Sequence, residues 1–317
     1  RASPTVAVVM VRTLASCAMA LTLGLNLPFV EGSMDGATPR WADIRAMATA
    51  GEEVGFDAVW ISDHLGFGDP MGEWAGAWES WTLLSALAVA TDRVRLGTYV
   101  SAMPLRNPAL FAKMAETLDE VSGGRLVLGL GAAWNEPEFR AFGVPFDHRF
   151  DRFEEGLRII AAMFRGGHAE FDGAYAHAGG APISPRGPRP AGPPIMIGTT
   201  GARMLRLTAE LADEWNGGMR SIEELVPILA AVDAACEAAG RDPLTLPRSA
   251  EVLVRTIDDP DDRPAEEHEL RGTPAELADA VRQYDDLGIA HLQVQLRPNR
   301  ADAIEAFVPV MRAYLRG

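Results

Sequence analysis

The chain reads as an α/β protein: a single (β/α)8 TIM barrel with an insertion segment after helix four. Three observations carry that reading. Apolar strand-like segments alternate with helical ones about eight times without a dividing linker. Many of the strand-like segments are apolar on both faces, as parallel strands covered by helices are. The length of 317 residues exceeds an ordinary domain and suits a barrel, which takes ~250 residues.

The elements follow in order. Residues 21–27 form an apolar run ended by Pro28, the first strand. Pro39 opens a helix in which Ile44, Met47, Ala48 and Val54 fall at helical spacing, and Gly55 ends it. Residues 57–62 are strand two; a Gly- and Trp-rich loop leads to a helix over 78–91. Residues 94–100 are strand three, and 108–121 a helix closed by Gly123 and Gly124. Residues 125–131 are strand four, followed by a helix over 149–164. The stretch 166–192 is rich in Gly and Pro and breaks the rhythm, with a small hairpin expected at 171–175. Strand five (195–198) precedes a helix at 202–212, and strand six (214–217) one at 222–239. Strand seven (251–257) precedes a helix at 274–287 that Thr273 caps. Strand eight (291–296) and a helix over 301–315 complete the set. Eight units favour a closed barrel over a doubly wound sheet. The barrel is expected to occupy 19–317, with residues 1–18 an extension outside it.

Composition excludes several classes. Hydrophobic content of 48% and charged content of 23% are those of a globular chain, not a disordered one. A net charge of −15 works against nucleic acid, because phosphate contacts need clustered cations. No early apolar run approaches the ~18 residues of a membrane span. Leu14, Ala15, Ser16 and Cys17 imitate a lipoprotein cleavage box, but Arg12 interrupts the core and the apolar run continues past Cys17. Cys17 and Cys236 form neither a disulfide framework nor a metal spacing, so the expectation is a cytoplasmic protein with no metal. Lys113 is the only lysine, so an anion site must use Arg, hydroxyl or backbone N–H donors.

In a parallel barrel, chemistry gathers at the C-terminal strand ends. That places Asn26, the run Ser62, Asp63 and His64, and Tyr99 and Val100 at one mouth, with Gly131, Trp134 and Asn135 after strand four. Asp63 and His64 are the strongest polar pair: His exchanges protons near neutral pH and a neighbouring Asp fixes its tautomer. The competing reading is a structural Asp that caps a helix or pairs with Arg. Gly198, Thr199, Thr200 and Gly201 join an apolar strand to a helix, the form of a phosphate cradle, with Arg203 one turn in. A turn that merely caps the helix is the alternative. Gly129 and Gly131 do not make a dinucleotide fingerprint, since the third Gly is missing and Trp134 stands in the way. Asn135 instead suits the edge of a heteroaromatic ring. Phe67, Trp74, Trp78 and Trp81 suit a cover for a flat ligand, or packing of helix two.

The runs Trp60-Ile61-Ser62-Asp63-His64, Leu96-Gly97-Thr98-Tyr99-Val100, Asn107-Pro108 and Thr117-Leu118-Asp119-Glu120-Val121-Ser122-Gly123-Gly124-Arg125 resemble the luciferase-like flavin and deazaflavin oxidoreductases. So do Gly129-Leu130-Gly131 with Trp134-Asn135-Glu136-Pro137-Glu138-Phe139, Pro194-Ile195-Met196-Ile197-Gly198, and Ala212-Asp213-Glu214-Trp215-Asn216. The match runs in order over the whole barrel. Ser62-Asp63-His64 and Glu79-Ser80-Trp81-Thr82 look most like the branch using coenzyme F420, a 5-deazaflavin. The resemblance implies a ring across the barrel mouth, His64 near its reactive face, Asn135 on its edge and its phosphate on 198–201. Asn26, Tyr99, Val100, Gly131, Trp134, Trp215 and Asn216 complete the implied cofactor site, with a non-prolyl cis peptide at Tyr99-Val100. It implies a homodimer through helices two and three and a small or medium organic substrate. Two departures exclude the sugar-phosphate and alcohol dehydrogenase machinery: Gly68 stands where those enzymes have Trp, and Ala132-Ala133-Trp134 where they have a catalytic Glu. The leading expectation is F420-dependent hydride transfer with His64 and Asp63 catalytic. The alternatives are a two-component monooxygenase using reduced FMN, and a non-catalytic flavin-binding barrel.

Overall fold

The computed structural model describes residues 21–256 and 266–316; the expected extension 1–18 and residue 257 of strand seven lie outside them. Eight parallel strands form the barrel: β1 (Thr22–Asn26), β2 (Ala58–Asp63), β3 (Arg95–Ala102), β4 (Leu126–Gly131), β5 (Ile195–Gly198), β6 (Glu214–Met219), β7 (Arg248–Thr256) and β8 (His291–Arg297). Each pairs with its sequence neighbour, and β8 returns to β1, so the sheet closes. Around it lie α1 (Trp41–Val54), α2 (Ser80–Ala90), α3 (Pro108–Val121), α4 (Arg149–Gly166), α5 (Ala202–Leu211), α6 (Ile222–Ala238), α7 (Pro274–Asp286) and α8 (Ala301–Arg316).

Local chemistry explains the boundaries. Helix α1 starts two residues after Pro39, where the Asp43 carboxylate accepts the Arg40 N–H (2.8 Å) and the Arg40 carbonyl accepts the Asp43 N–H (2.9 Å). Asn107 caps α3 through the Leu110 N–H (3.0 Å) with Pro108 in the first turn. Thr273 and Glu276 form a capping box on α7. Strand β7 begins at Arg248, three residues before its expected start.

The interior is filled by one large ring. Trp60 is fully buried inside the barrel with Ala58, Val127 and Met196, and the His291 ring lies 5.0 Å from it. Glycine makes the room: a Cβ on Gly24 would stand 2.3 Å from Trp60 Nε1, and one on Gly97 2.3 Å from Trp60 Cζ3. Trp60 thus does the filling that layers of branched side chains do in many barrels.

After α4, His168–Asp172 and His177–Pro182 form the expected hairpin. The rest of the 166–192 segment is tied to α3: the Gly187 N–H reaches Glu116 Oε1 (2.7 Å), and Arg189 Nε reaches Asp119 Oδ2 (2.9 Å). Two further pieces were not expected. Gly66–Gly68 and Trp74–Gly76 make a small antiparallel pair above β2, and Glu269–Gly272 adds parallel to the end of β7.

Gly97→Val is expected to cost ~1–3 kcal/mol by overpacking against Trp60, whereas Gly201→Ala, with open space around its Cβ, should stay within ~0.5 kcal/mol. Urea unfolding midpoints check this, and equal midpoints for both variants would refute the packing account.

Candidate active site

A cleft of about 380 Å³ opens at the C-terminal ends of β2–β5 and β7. Of the expected site residues it gathers Asp63, His64, Tyr99, Val100, Gly131, Trp134, Gly198 and Thr199.

His64 stands on one wall. Its Nδ1 lies 3.1 Å from Oε1 of Glu138, and the other carboxylate oxygen accepts the Leu65 N–H (2.9 Å). Glu138 comes from a short helix after β4, Glu136–Ala141, and is fully buried. A carboxylate on Nδ1 keeps the proton there and leaves Nε2 as the nitrogen free to exchange one. Phe67 (4.5 Å between centroids) and Trp134 (5.3 Å) pack on the imidazole.

The partner expected for His64 is therefore corrected. Asp63 binds Arg106 through both oxygens (2.5 and 2.9 Å) and also accepts from Ser80 Oγ (2.5 Å) and the Ala102 N–H (3.1 Å). Its acceptor capacity is used, so the Arg-pairing role describes it and Glu138 orients the histidine. Burial works against charge on Arg106, but Asp63 and Glu79 outweigh it and hold its pKa above the ordinary value. Glu79 caps α2 through the Thr82 N–H (2.7 Å) and adds a second carboxylate to Arg106 (2.8 Å).

Behind the cleft, the Tyr99-Val100 peptide is cis, as expected. Strand register shifts on both sides of it. Glycines clear the space around Val100: a Cβ on Gly131 would stand 2.6 Å from its Cγ2, and one on Gly198 3.1 Å. Thr98 Oγ1 and Ser101 Oγ (2.7 Å) are joined to Trp81 Nε1 (3.1 Å), so Trp81 is a packing residue and not part of a cover.

The opposite wall is the turn into α5. The Thr199 N–H donates to the Asn216 carbonyl (3.2 Å), and its own carbonyl accepts from Trp215 Nε1 (2.8 Å). No side chain caps α5. Arg203, expected to supply charge there, is held by Asp151 (2.7 Å) and Glu154 (2.8 Å).

Several expected ring contacts are differently employed. Trp215 is fully buried among the core side chains and props the 199 carbonyl. Asn216 bonds Gln293 Oε1 (2.9 Å), Ser249 Oγ (3.2 Å) and the Gly218 N–H (2.9 Å) inside the barrel. Asn135 donates to the Gly66 carbonyl (2.9 Å), which binds the β4 loop to the small sheet above β2. Thr200 and Gly201 are exposed and lie beside the cleft. Asn26 is 1% exposed, and neither of its amide atoms has a hydrogen-bond partner.

Sequence reasoning missed Glu138 and Glu251. Glu251 lines the cleft from β7. Burial pushes its pKa up to about 8, with Arg220 pulling the other way. Its signal was there: one carboxylate between Ala250 and the apolar run 252–254.

This fold and site define the class, and the chain belongs to the luciferase-like monooxygenase family, whose description matches residues 21–271. A 5,10-methylenetetrahydromethanopterin reductase of Archaeoglobus fulgidus is 34% identical over 162 residues, 51% of this chain and 45% of that one. The chain thus spans about half the length of that curated relative. An F420-dependent secondary alcohol dehydrogenase, solved with an F420-acetone adduct, superposes with a TM-score of 0.79 at 19% identity, covering 93% of this chain and 99% of that one. A riboflavin lyase solved with modified FMN gives 0.76 at 18%, covering 92% and 91%. Among the described residues no helix is long and apolar enough to cross a membrane.

Asp63→Ala should cost ~3–5 kcal/mol in urea unfolding, because Arg106 loses its buried two-bond partner and keeps only Glu79, while Ser80 Oγ and the Ala102 N–H lose their acceptor; a loss under ~1 kcal/mol would contradict the anchoring role. Glu251 makes stability depend on pH. Its folded pKa lies above the usual 4.5, so its contribution is complete below about pH 4.5 and is lost progressively up to about 8, as the unfolded chain ionises first. Glu251→Gln lacks this loss. Its melting temperature relative to the parent protein should rise between about pH 5 and pH 8, and a constant difference would refute the shift.

Proposed function

We propose that the protein is an oxidoreductase that binds coenzyme F420 across this cleft and transfers a hydride between it and a small or medium organic substrate. The observation that carries the reading is the pairing of two walls. One holds a histidine whose far nitrogen is fixed by a buried carboxylate. The other offers a helix start with no side-chain cap.

The residues fit a flat phosphorylated cofactor. Gly131, Ala132, Ala133 and Gly198 keep the lining low around Val100. The first-turn N–H groups of α5 and the Thr199 and Thr200 hydroxyls suit a phosphate, with the helix dipole favouring its charge. When bound, the deazaflavin supplies the hydride chemistry; the protein supplies position and dryness. Phe67 and Trp134 shield the His64 side of the cleft from water. His64 holds or moves a proton at Nε2 while Glu138 fixes its ring. Asp63 acts as a positioning residue through Arg106.

The F420 form is supported by the Ser62-Asp63-His64 run and by the F420 of the dehydrogenase structure. A reduced-FMN monooxygenase is the second reading, favoured by the family description and by the FMN of the lyase structure. A non-catalytic flavin-binding barrel is the third.

Fluorescence titration of the protein with F420 and with FMN, each oxidised and reduced, separates them. Micromolar F420 affinity with negligible FMN binding is expected; the reverse would favour the monooxygenase, and no binding of either the non-catalytic barrel. Gly198→Val should weaken cofactor binding at least tenfold, since even its Cβ meets Val100. His64→Ala should leave cofactor affinity within about twofold and lower turnover ~10²–10⁴-fold, the usual yield of a positioned acid–base group. Undiminished turnover would remove His64 from the chemistry.

A further inference from the structure

Three carboxylates stand at or beside the cleft, and two are occupied. Asp63 is held by Arg106 and Ser80, and Glu138 by His64 and the Leu65 N–H. Glu251 has no hydrogen bond to any described residue, and it lines the cleft. A carboxylate left charged and unpaired there would carry a desolvation cost that Arg220 offsets only in part. The polar and charged groups around it do not neutralise it: Arg220 follows β6, and Tyr99 on β3 is itself disfavoured as an anion, by burial first and by Glu251 second. Arg297, at the end of β8, acts on Tyr99 and is paired with Glu266 (3.3 Å).

Topology sets Glu251 against His64. The ring order runs β7, β8, β1, β2, so β7 stands three strands from β2 in a ring of eight. Asn26, with its unbonded amide, ends β1 on the same inward face as Gly24, between those two positions. The cleft therefore has proton-exchanging groups on nearly opposite sides, and only the histidine is fixed by a protein partner.

We propose that Glu251 is the acid–base residue on the substrate side of the cleft, which gives a proton to the heteroatom of a carbonyl-type substrate during reduction and takes it back during oxidation. This rests on the oxidoreductase reading above. In the reducing direction, a bound reduced deazaflavin would supply a hydride to the carbonyl carbon as the C=O π pair moves to oxygen. The Glu251 O–H bond breaks, the proton bonds to that oxygen, and the electron pair stays on the carboxylate. Water at the cleft mouth reprotonates Glu251. The substrate would gain two electrons and two hydrogens; a bound reduced deazaflavin would supply the hydride and release its remaining N–H proton to water, which balances the proton that Glu251 takes up again. A carboxyl that is neutral near pH 7 can donate, whereas an ordinary one cannot. Its burial-raised pKa of about 8 agrees with that task.

Infrared titration of the cofactor-free protein gives the first test. A protonated-carboxyl C=O band should vanish with a midpoint near pH 8, be missing in Glu251→Gln, and shift when F420 is added. A band that persists in Glu251→Gln, or full ionisation by about pH 6, overturns the proposal without touching the cofactor reading. Kinetics gives the second, with bound reduced F420 oxidised by benzaldehyde, an aldehyde whose carbonyl carbon takes the hydride and whose oxygen takes the proton. The parent rate should fall above about pH 8. Glu251→Gln should be at least tenfold slower and flat with pH, and Glu251→Asp should recover part of the rate. Identical profiles in parent and Glu251→Gln overturn the proton-transfer role. Failure of the parent protein to bind F420 overturns the underlying reading instead, and the infrared arm still decides the state of Glu251.

Discussion

The mouth of the barrel hangs on the Asp63–Arg106 pair. Asp63 ends β2, Ser80 opens α2, the Ala102 N–H ends β3, and Arg106 follows it; the last three meet on the Asp63 carboxylate. Two parallel Arg–carboxylate bonds fix direction as well as distance. A pair this buried is weak evidence for net stability, because desolvation of both ions offsets their attraction. Its consequence is geometric. His64 is the next residue after Asp63, so the histidine takes its place from that anchor. The same anchor holds the end of β3, where the Tyr99-Val100 peptide turns cis and the register shifts.

A division of labour follows. Residues that look chemical by position often hold those that face the cleft. Asp63 holds β2 and β3, Trp215 props the Thr199 carbonyl through its indole N–H, and Asn135 ties the β4 loop to the sheet over β2. The groups left facing open space are His64, Glu251 and the start of α5. Each has a different degree of support. His64 is fixed through Nδ1, the α5 turn is fixed through the backbone of β6, and Glu251 is held by no side chain among the described residues.

Much of this was legible in the sequence. The eight strands and eight helices fall where apolar periodicity and caps put them, because propensity, patterning and turn chemistry agree over most of the chain. Positions at strand ends were legible too, and so was the cis peptide, through resemblance. Partners were not. Adjacency suggested that Asp63 serves His64, yet successive residues near a strand end point to different sides, and the histidine's carboxylate arrives from 74 positions away. Glu251 was lost to a boundary. A strand beginning at residue 251 places that carboxylate at the N-terminal rim; the observed start at Arg248 carries it inward to the cleft. Three residues of strand separate a rim charge from a site charge, and strand starts are what periodicity resolves least well.

Scarcity of lysine bears on the anion site in a way that composition alone did not reveal. Arg203 is the guanidinium nearest in sequence to the 198–201 turn, and it is bound to Asp151 and Glu154. Burial opposes the charge on Glu154, but Arg203 and Arg158 outweigh it and hold its pKa at about 2, so that carboxylate stays ionised throughout the neutral range. Arg203 therefore brings little net positive charge to the turn. Attraction for a phosphate must come from aligned N–H groups and hydroxyls, which act at short range and depend on geometry. Such a site recognises a phosphate that the rest of the ligand has already placed. The cleft around Val100, low-walled because of Gly131 and Gly198, must then do the placing, and the phosphate turn fixes the register of a ring that shape has already admitted.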